Sequence, residues 1–217
     1  MTCRTAVDCI IPMLLLPLMA YSLIGEIFHE AAGTVMLGLI LMHLWHNRAW
    51  LKSIAKGRHA PPRTCRTACF LAMLAAMSLQ MTSGILMSGH VLSFLAVHEA
   101  ASYARTVHLC SAYWCFTLMG LHAGLHAGSI AHWLKKNASS IMVRAAGAAF
   151  VITGLYGALA FARRGFAGYM FLQSSFAFFN FDEPLLFFLA DYAAIFCLFM
   201  LAGHLIAIAG IGKARKQ

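Results

Sequence analysis

The sequence predicts an all-α fold, a bundle of six transmembrane helices that forms a single integral membrane domain over residues 1–217. Three observations predict it. The chain is 61% hydrophobic and only 11% charged, whereas soluble domains carry about 25% charged residues. Six apolar segments are long enough to span about 30 Å of hydrocarbon. The basic residues are concentrated in the connections between these segments, as topology signals are.

The six segments are separated by short polar or basic connections. In the first, Asp8 interrupts the apolar run and no convincing cleavage site follows, so we interpret it as a spanning helix and not a signal peptide. Pro184 and the acids before it suit the N-terminus of the last helix. The expected spans are Ala6–Ile24, Phe28–Trp50, Cys65–Met87, Thr106–Ile130, Ile141–Phe161 and Pro184–Ile211.

The distribution of the sixteen Lys and Arg residues predicts the orientation. In a six-helix topology thirteen of them fall on one side, and we expect that side and both termini to be cytoplasmic. Because the net charge of +9 lies in connections and not on one polar face, no nucleic-acid partner is expected. The thirteen are Arg4, Arg48, Lys52, Lys56, Arg58, Arg63, Arg66, Lys135, Lys136, Arg144, Lys213, Arg215 and Lys216; Arg105, Arg163 and Arg164 fall on the other side.

Two expected helices carry histidine pairs with the same spacing. His29 and His43 lie on the second segment, and His108 and His122 on the fourth. Fourteen residues of α-helix rise about 21 Å and return to within roughly 40° of the same face. Since the orientation makes both helices run inward, we expect His29 to face His108 at the outer level and His43 to face His122 at the inner level. This layout suits two haems, each held by two histidines.

Several alternatives stay open at this point. His126, one turn after His122, could replace it as the inner ligand, or bind a haem propionate or a quinone; His46 is a similar alternative to His43. Any single histidine could instead make a hydrogen bond between helices. The protein could also be a haem-free transporter or a copper- or zinc-handling membrane protein, or an anchor in which haems mainly stabilise the bundle.

Other polar and small residues admit two interpretations. Glycines near the histidines, such as Gly33, Gly38 and Gly124, could clear room for a porphyrin or allow close helix packing. Asp191 could take up protons beside a quinone or bond to a neighbouring helix. The seven scattered cysteines indicate packed thiols and not a disulfide framework. Solvated polar roles are expected for the remaining loop and surface residues, namely His59, His90, His98, Glu99 and His132.

The histidine motifs resemble those of small bacterial membrane cytochromes b, a domain family of unknown function associated with flavinylated electron-transfer proteins. The layout is also similar to that of respiratory cytochromes b and formate dehydrogenase membrane subunits. The resemblance covers most of the chain, and its motifs are His29-Glu-Ala-Ala-Gly33, His43-Leu-Trp-His-Asn-Arg-Ala-Trp50, Ser83–His90, His108–His126 and Asp182–Tyr192.

The resemblance implies a multi-pass protein of the bacterial cytoplasmic membrane. It implies two b-type haems that pass electrons between membrane quinone and an extracytoplasmic flavoprotein or other redox partner. No nucleophile or general base can be named, so the chain is expected to be an electron-transfer subunit of an oxidoreductase system. The expected cofactor-binding residues are His29, His43, His108, His122 and His126, the first four being the expected iron ligands.

Overall fold

The computed structural model describes residues 3–54, 61–97, 99, 101–174 and 176–214, and 85% of these are helical, with no strand among them. The predicted all-α class is confirmed for this part of the chain. Several residues used in the sequence analysis lie outside the described ranges: Lys56, Arg58, His59, His98, Arg215 and Lys216.

Nine α-helices and one short 3₁₀ helix occur in the described residues. The 3₁₀ helix covers Ser93–Leu95, between the fifth and sixth α-helices. The α-helices are α1 Cys3–Leu18, α2 Tyr21–Ile24, α3 Glu26–His46, α4 Arg48–Ser53, α5 Pro61–Met87, α6 Ala101–Asn137, α7 Ser140–Arg163, α8 Phe166–Met170 and α9 Leu185–Ala214.

Local chemistry explains where these helices begin and end. Gly25 adopts a φ of 90°, which separates α2 from α3 and which a residue with a Cβ rarely adopts. Asn47 ends α3 three residues before the expected end. Ser139 caps α7 by accepting a hydrogen bond from the backbone N–H of Met142 at 3.3 Å. Pro184 precedes α9, as the sequence predicts.

Four helices are long and apolar enough to cross a membrane, within the described residues. They correspond to the expected second, third, fifth and sixth spans, although the second ends before Trp50 and the sixth is one residue shorter at each end. They are Glu26–His46, Arg63–Met87, Ser140–Arg163 and Leu185–Gly210. The count of six is therefore not reached by length and composition, and the other two spans stay predictions. The helix α1 has only 16 residues, which rise about 24 Å. The helix α6 is long enough, but its histidines and hydroxyl residues make it less apolar.

The exposed surface of these helices is strongly apolar. Leu41 on α3, Leu159 on α7 and Leu186 on α9 each expose more than half of their accessible area. Soluble monomers rarely expose continuous apolar surface of this extent. Together with the four long apolar helices, this indicates a multi-pass membrane protein in contact with a lipid bilayer.

The chain forms two compact units, which we describe separately. The first comprises residues 1–58, 75–113 and 168–189. In it α1 packs against α3, and its buried apolar side chains repeat at helical spacing on both helices. They include Val7, Ile11, Leu15, Ala32 and Met36.

The second unit comprises residues 59–74, 114–167 and 190–217, and small residues let its helices approach closely. A Cβ at Gly124 or Gly203 would overlap backbone atoms between α6 and α9, and one at Gly157 would do so between α7 and α9. Phe116 and Phe166 are fully buried in this unit, with ring centroids 5.6 Å apart. For Gly124, close packing is thus the interpretation that the structure supports.

Candidate functional site

His29 and His108 lie side by side in the first unit. His29 is in the first turn of α3, and His108 is in the third turn of α6. The two ring centroids are 6.0 Å apart and the ring planes are inclined by 66°. Both residues are half-buried. The structure therefore brings together the two histidines expected at the outer level.

One nitrogen of His29 is available as a ligand atom. Its Nδ1 is buried and has no hydrogen-bond partner among the described residues. A buried nitrogen left unpaired costs about 1–3 kcal/mol, which a ligand would recover. Tyr21 packs edge-on against the ring at 5.1 Å.

His108 has a hydrogen-bond contact at each ring nitrogen. The amide nitrogen of Gln80 lies 2.9 Å from Nε2, and the hydroxyl of Ser83 lies 3.2 Å from Nδ1. Ser111 donates to the amide oxygen of Gln80 at 2.6 Å. A Cβ at Gly84 would stand 3.1 Å from Cε1 of His108, so this glycine gives the ring room against α5.

The residue after His29 anchors the N-terminal end of α3 to the loop that follows α5. The carboxylate of Glu30 accepts hydrogen bonds from the hydroxyl of Ser88 at 2.7 Å and from the backbone N–H groups of Gly89, His90 and Val91 at 2.8, 3.0 and 2.9 Å. Four donors satisfy this carboxylate. Glu30 therefore fixes the position of the helix turn that carries His29.

His43 is paired with a carboxylate at the other end of α3. Its Nδ1 lies 2.7 Å from Oδ1 of Asp8 on α1, and its Nε2 lies 3.4 Å from the amide nitrogen of Asn47. An imidazole that donates one N–H to a carboxylate keeps the other nitrogen as an acceptor, which is the arrangement found around metal-binding histidines. The structure thus gives His43 a partner that suits a ligand.

The remaining histidines near the inner level fall into different surroundings. His122 and His126 belong to the second unit, where their ring centroids are 4.8 Å apart on α6. His46 bonds through Nδ1 to the carbonyl of Met42 at 2.8 Å. Since His43 belongs to the first unit and His122 and His126 to the second, the pairing of His43 with either one stays a prediction.

Asp191 bonds to a neighbouring helix, which is one of the two roles that the sequence suggests for it. Its buried carboxylate accepts hydrogen bonds from Tyr156 at 2.7 Å, from Arg163 at 2.6 and 2.7 Å and from Arg164 at 2.8 Å. These donors use both of its oxygens. Asp191 therefore joins α9 to α7 and to the residue after it.

One further set of possible metal ligands lies at the N-terminal end of α3. Ligand atoms of Glu26, Glu30 and His90 all lie within 4.8 Å of one another. His90 lies 3.9 Å from Glu26, and both side chains are about half exposed. Because Glu30 is already satisfied by four protein donors, this set is poorly suited to holding an ion.

A cavity of about 370 Å³ opens beside the start of α6. Its lining consists of Ser102, Arg105, Thr106 and Phe176, so it combines a guanidinium, two hydroxyls and an aromatic ring. Arg105 precedes His108 by three residues, which places it one turn away on a neighbouring face of the helix. The cavity therefore lies close along the helix to the His29–His108 pair.

Sequence reasoning missed the residues that hold the histidines. Gln80 and Ser83 lie on α5, and Asp8 lies on α1, all far in sequence from the ligand they contact. The one signal available was a polar side chain inside an apolar helix, since such a residue normally has a partner there. Which partner it has depends on tertiary packing.

Comparisons with protein-family models, with curated proteins and with solved structures gave no match for this chain.

Proposed function

We propose that this protein is a b-type cytochrome with two haems, which carries electrons across the membrane between quinone and an extracytoplasmic redox partner. The observation that carries the proposal is the His29–His108 pair. Two half-buried imidazoles on different helices lie side by side, with ring centroids 6.0 Å apart. Uncharged imidazole is the form that binds iron, and two of them form a complete axial set.

The separation of the two rings fits one metal between them. Metal–nitrogen bonds to histidine are about 2 Å long, and a ring nitrogen lies about 1 Å from its centroid. Two imidazoles that bound the same metal would therefore have centroids at most about 6 Å apart. The unpaired Nδ1 of His29 also fits this assignment, because it offers a lone pair that no described residue uses.

Charge around the pair supports the same cofactor. Haem propionates are anionic, and Arg105 would neutralise one of them from the wall of the cavity beside α6. When bound, haem supplies a one-electron couple. The protein's own residues hold it, exclude water from it and set the polarity around it.

A second haem would use His43 with His122 or His126. Asp8 supports His43 as a ligand through the 2.7 Å contact to Nδ1. The fourteen-residue spacing along α3 puts His29 and His43 about 21 Å apart. Two haems at this spacing would divide electron transfer across the hydrocarbon core into short steps. The predominance of basic residues in the inner connections supports cytoplasmic termini.

A reduced-minus-oxidised difference spectrum of the purified full chain, expressed with ample haem, tests the proposal. We expect a Soret band, a reducible α band and two haems per chain. His29→Ala and His108→Ala should each lower the content to one, and His43→Ala should also remove one. His132→Ala is the matched control on α6, since His132 is an exposed histidine with no role in the proposal.

Metal analysis of the same preparation separates the alternatives. Absence of haem from the wild-type protein overturns the proposal, and stoichiometric copper or zinc without iron would identify the metal-handling alternative. Full haem content with very slow reduction by quinol would contradict transport of electrons from quinone. In that case haem would stabilise the bundle only.

A further inference from the structure

The proton positions around His108 are set by hydrogen-bond chemistry on α5. We propose that Ser83 and Gln80 are positioning residues for His108: Ser83 accepts its Nδ1–H and so fixes the tautomer, and Gln80 occupies the Nε2 lone pair until a metal binds there. This inference rests on the proposed function for the identity of the metal. The tautomer itself does not depend on it.

The direction of the Ser83 hydroxyl gives the first half of the argument. Its Oγ lies 2.7 Å from the carbonyl oxygen of Leu79 and 3.1 Å from that of Gln80. Carbonyl oxygens only accept, so the single hydroxyl proton is donated to the backbone. The Oγ atom of Ser83 can therefore only accept in its 3.2 Å contact with Nδ1 of His108. Nδ1 must therefore carry the proton.

The Gln80 amide gives the second half independently. The hydroxyl of Ser111 lies 2.6 Å from the amide oxygen of Gln80 and 3.2 Å from the carbonyl oxygen of His108. Since only the shorter distance lies within the usual range of an O–H···O bond, the hydroxyl donates to Gln80 and the amide oxygen accepts. The amide nitrogen is thus the atom at 2.9 Å from Nε2 of His108. An amide nitrogen donates only, so Nε2 accepts and carries no proton.

The two halves assign the same tautomer, although they start from different side chains. One directed chain runs from Ser111 through Gln80 and His108 to Ser83 and ends on the carbonyl of Leu79. Ser83 and Ser111 are each only 4% exposed, so water does not compete strongly for these bonds. An imidazole with Nδ1–H bonded to a protein acceptor has its Nε2 lone pair directed outward for a metal.

Gln80 has a separate role before the metal arrives. A buried nitrogen lone pair without a partner would destabilise the metal-free protein, and the Gln80 amide prevents this. Metal binding at Nε2 requires that amide to move away, because one lone pair cannot serve both. The Ser83 contact at Nδ1 is compatible with both states.

The first measurement uses the haem-free full chain labelled with ¹⁵N at histidine. The His108 signals are identified by their loss in His108→Ala. We expect Nδ1 to show the shift of a protonated ring nitrogen and Nε2 that of an unprotonated one. The opposite assignment overturns the proposal whether or not the protein binds haem.

The second measurement compares haem binding among variants of α5. Ser83→Ala should weaken binding at the outer site about tenfold and raise the midpoint potential of that haem alone, because the ligand becomes less electron-donating. Ser83→Thr, which keeps the hydroxyl, should restore both values. Thr82→Ala is the matched control, since Thr82 is the exposed neighbouring hydroxyl. Gln80→Leu should bind haem about fivefold more tightly, since no hydrogen bond must be broken first.

The outcomes separate the two proposals. If the wild-type protein binds two haems but Ser83→Ala has the affinity and potential of Thr82→Ala, the positioning role is wrong and the proposed function stands. If the wild-type protein binds no haem, the proposed function fails, and the ¹⁵N shifts still decide the tautomer. Equal haem affinity of Gln80→Leu and wild type contradicts the role of Gln80.

Discussion

The histidine helices α3 and α6 both carry glycines near their ligand candidates, and these glycines meet opposite surroundings. A Cβ at Gly124 on α6 would overlap the carbonyl of Met200 on α9. A Cβ at Gly33 or Gly38 on α3 would have no heavy atom within 4 Å. Glycine therefore allows close backbone packing at Gly124 on α6, whereas Gly128 on α6 and both glycines on α3 meet open space.

The difference shows how each unit is held together. In the second unit, helix backbones touch, and the buried Asp191 adds polar bonds between helices. In the first unit, α3 packs on α1 along one face, is anchored at its N-terminal end by Glu30, and leaves open space beside its glycines. Under the proposed function, the open space next to His29 would receive the cofactor.

Replacing Gly124 should produce the largest effect on stability. In Gly124→Ala the methyl group would overlap backbone atoms of Met200, and backbone cannot move as a side-chain tip can. We expect a loss of about 1–3 kcal/mol or more, as for overpacked interiors. Thermal unfolding in detergent measures it. The matched control is Gly128→Ala, one turn further along α6, where a Cβ meets nothing within 4 Å. Equal unfolding temperatures for the two variants would contradict the close packing of α6 on α9.

The sequence predicts much of this fold because helix formation here depends on local composition. Five of the six apolar segments lie on helices of 21 residues or more, and Pro184 and Gly25 act where their backbone constraints require. The first helix is shorter than expected because it ends at Leu18, after Pro12 and Pro17. Its continuation turns at Met19 and Ala20 before α2 begins.

The candidate site is only partly accessible to sequence reasoning. Helical periodicity places His29 and His108 at one level once the two helices are taken as parallel, and the structure brings them together. Helical periodicity cannot identify Gln80 and Ser83 as the residues that contact His108, since several polar residues of α5 satisfy the same periodicity. It also left two interpretations of Gly124 and Asp191, because both depend on which helix lies opposite.

A smaller effect is expected where α3 is fastened to the loop after α5. Glu30→Gln keeps the shape of the side chain but replaces one acceptor oxygen by an NH2 group. This donor would face a backbone N–H of the loop, which also donates. We expect a loss of about 1 kcal/mol, because these hydrogen bonds are exposed, and faster hydrogen exchange at the amides of Gly89, His90 and Val91. Glu26→Gln is the control, since this exposed carboxylate makes only the 3.9 Å contact to His90, a kind of pair worth about 0–1 kcal/mol. If these amides exchange equally fast in Glu30→Gln and Glu26→Gln, Glu30 does not hold the loop in place.

The smallest effect on folding is expected at Gly33, and it tests what the open space is for. Gly33→Ala meets no neighbour and should stabilise α3 by up to about 1 kcal/mol through helix propensity.

Gly33→Phe should also fold, because the surrounding space accepts a ring. Gly33 lies four residues after His29, on the same face of α3, so that ring would occupy the space beside the ligand. We therefore expect Gly33→Phe to lower the haem content, measured by difference spectra. Gly128→Phe, at an equally open position away from His29, should retain it. Unchanged haem content in Gly33→Phe would mean that this space faces lipid and that the room beside α3 does not serve a cofactor.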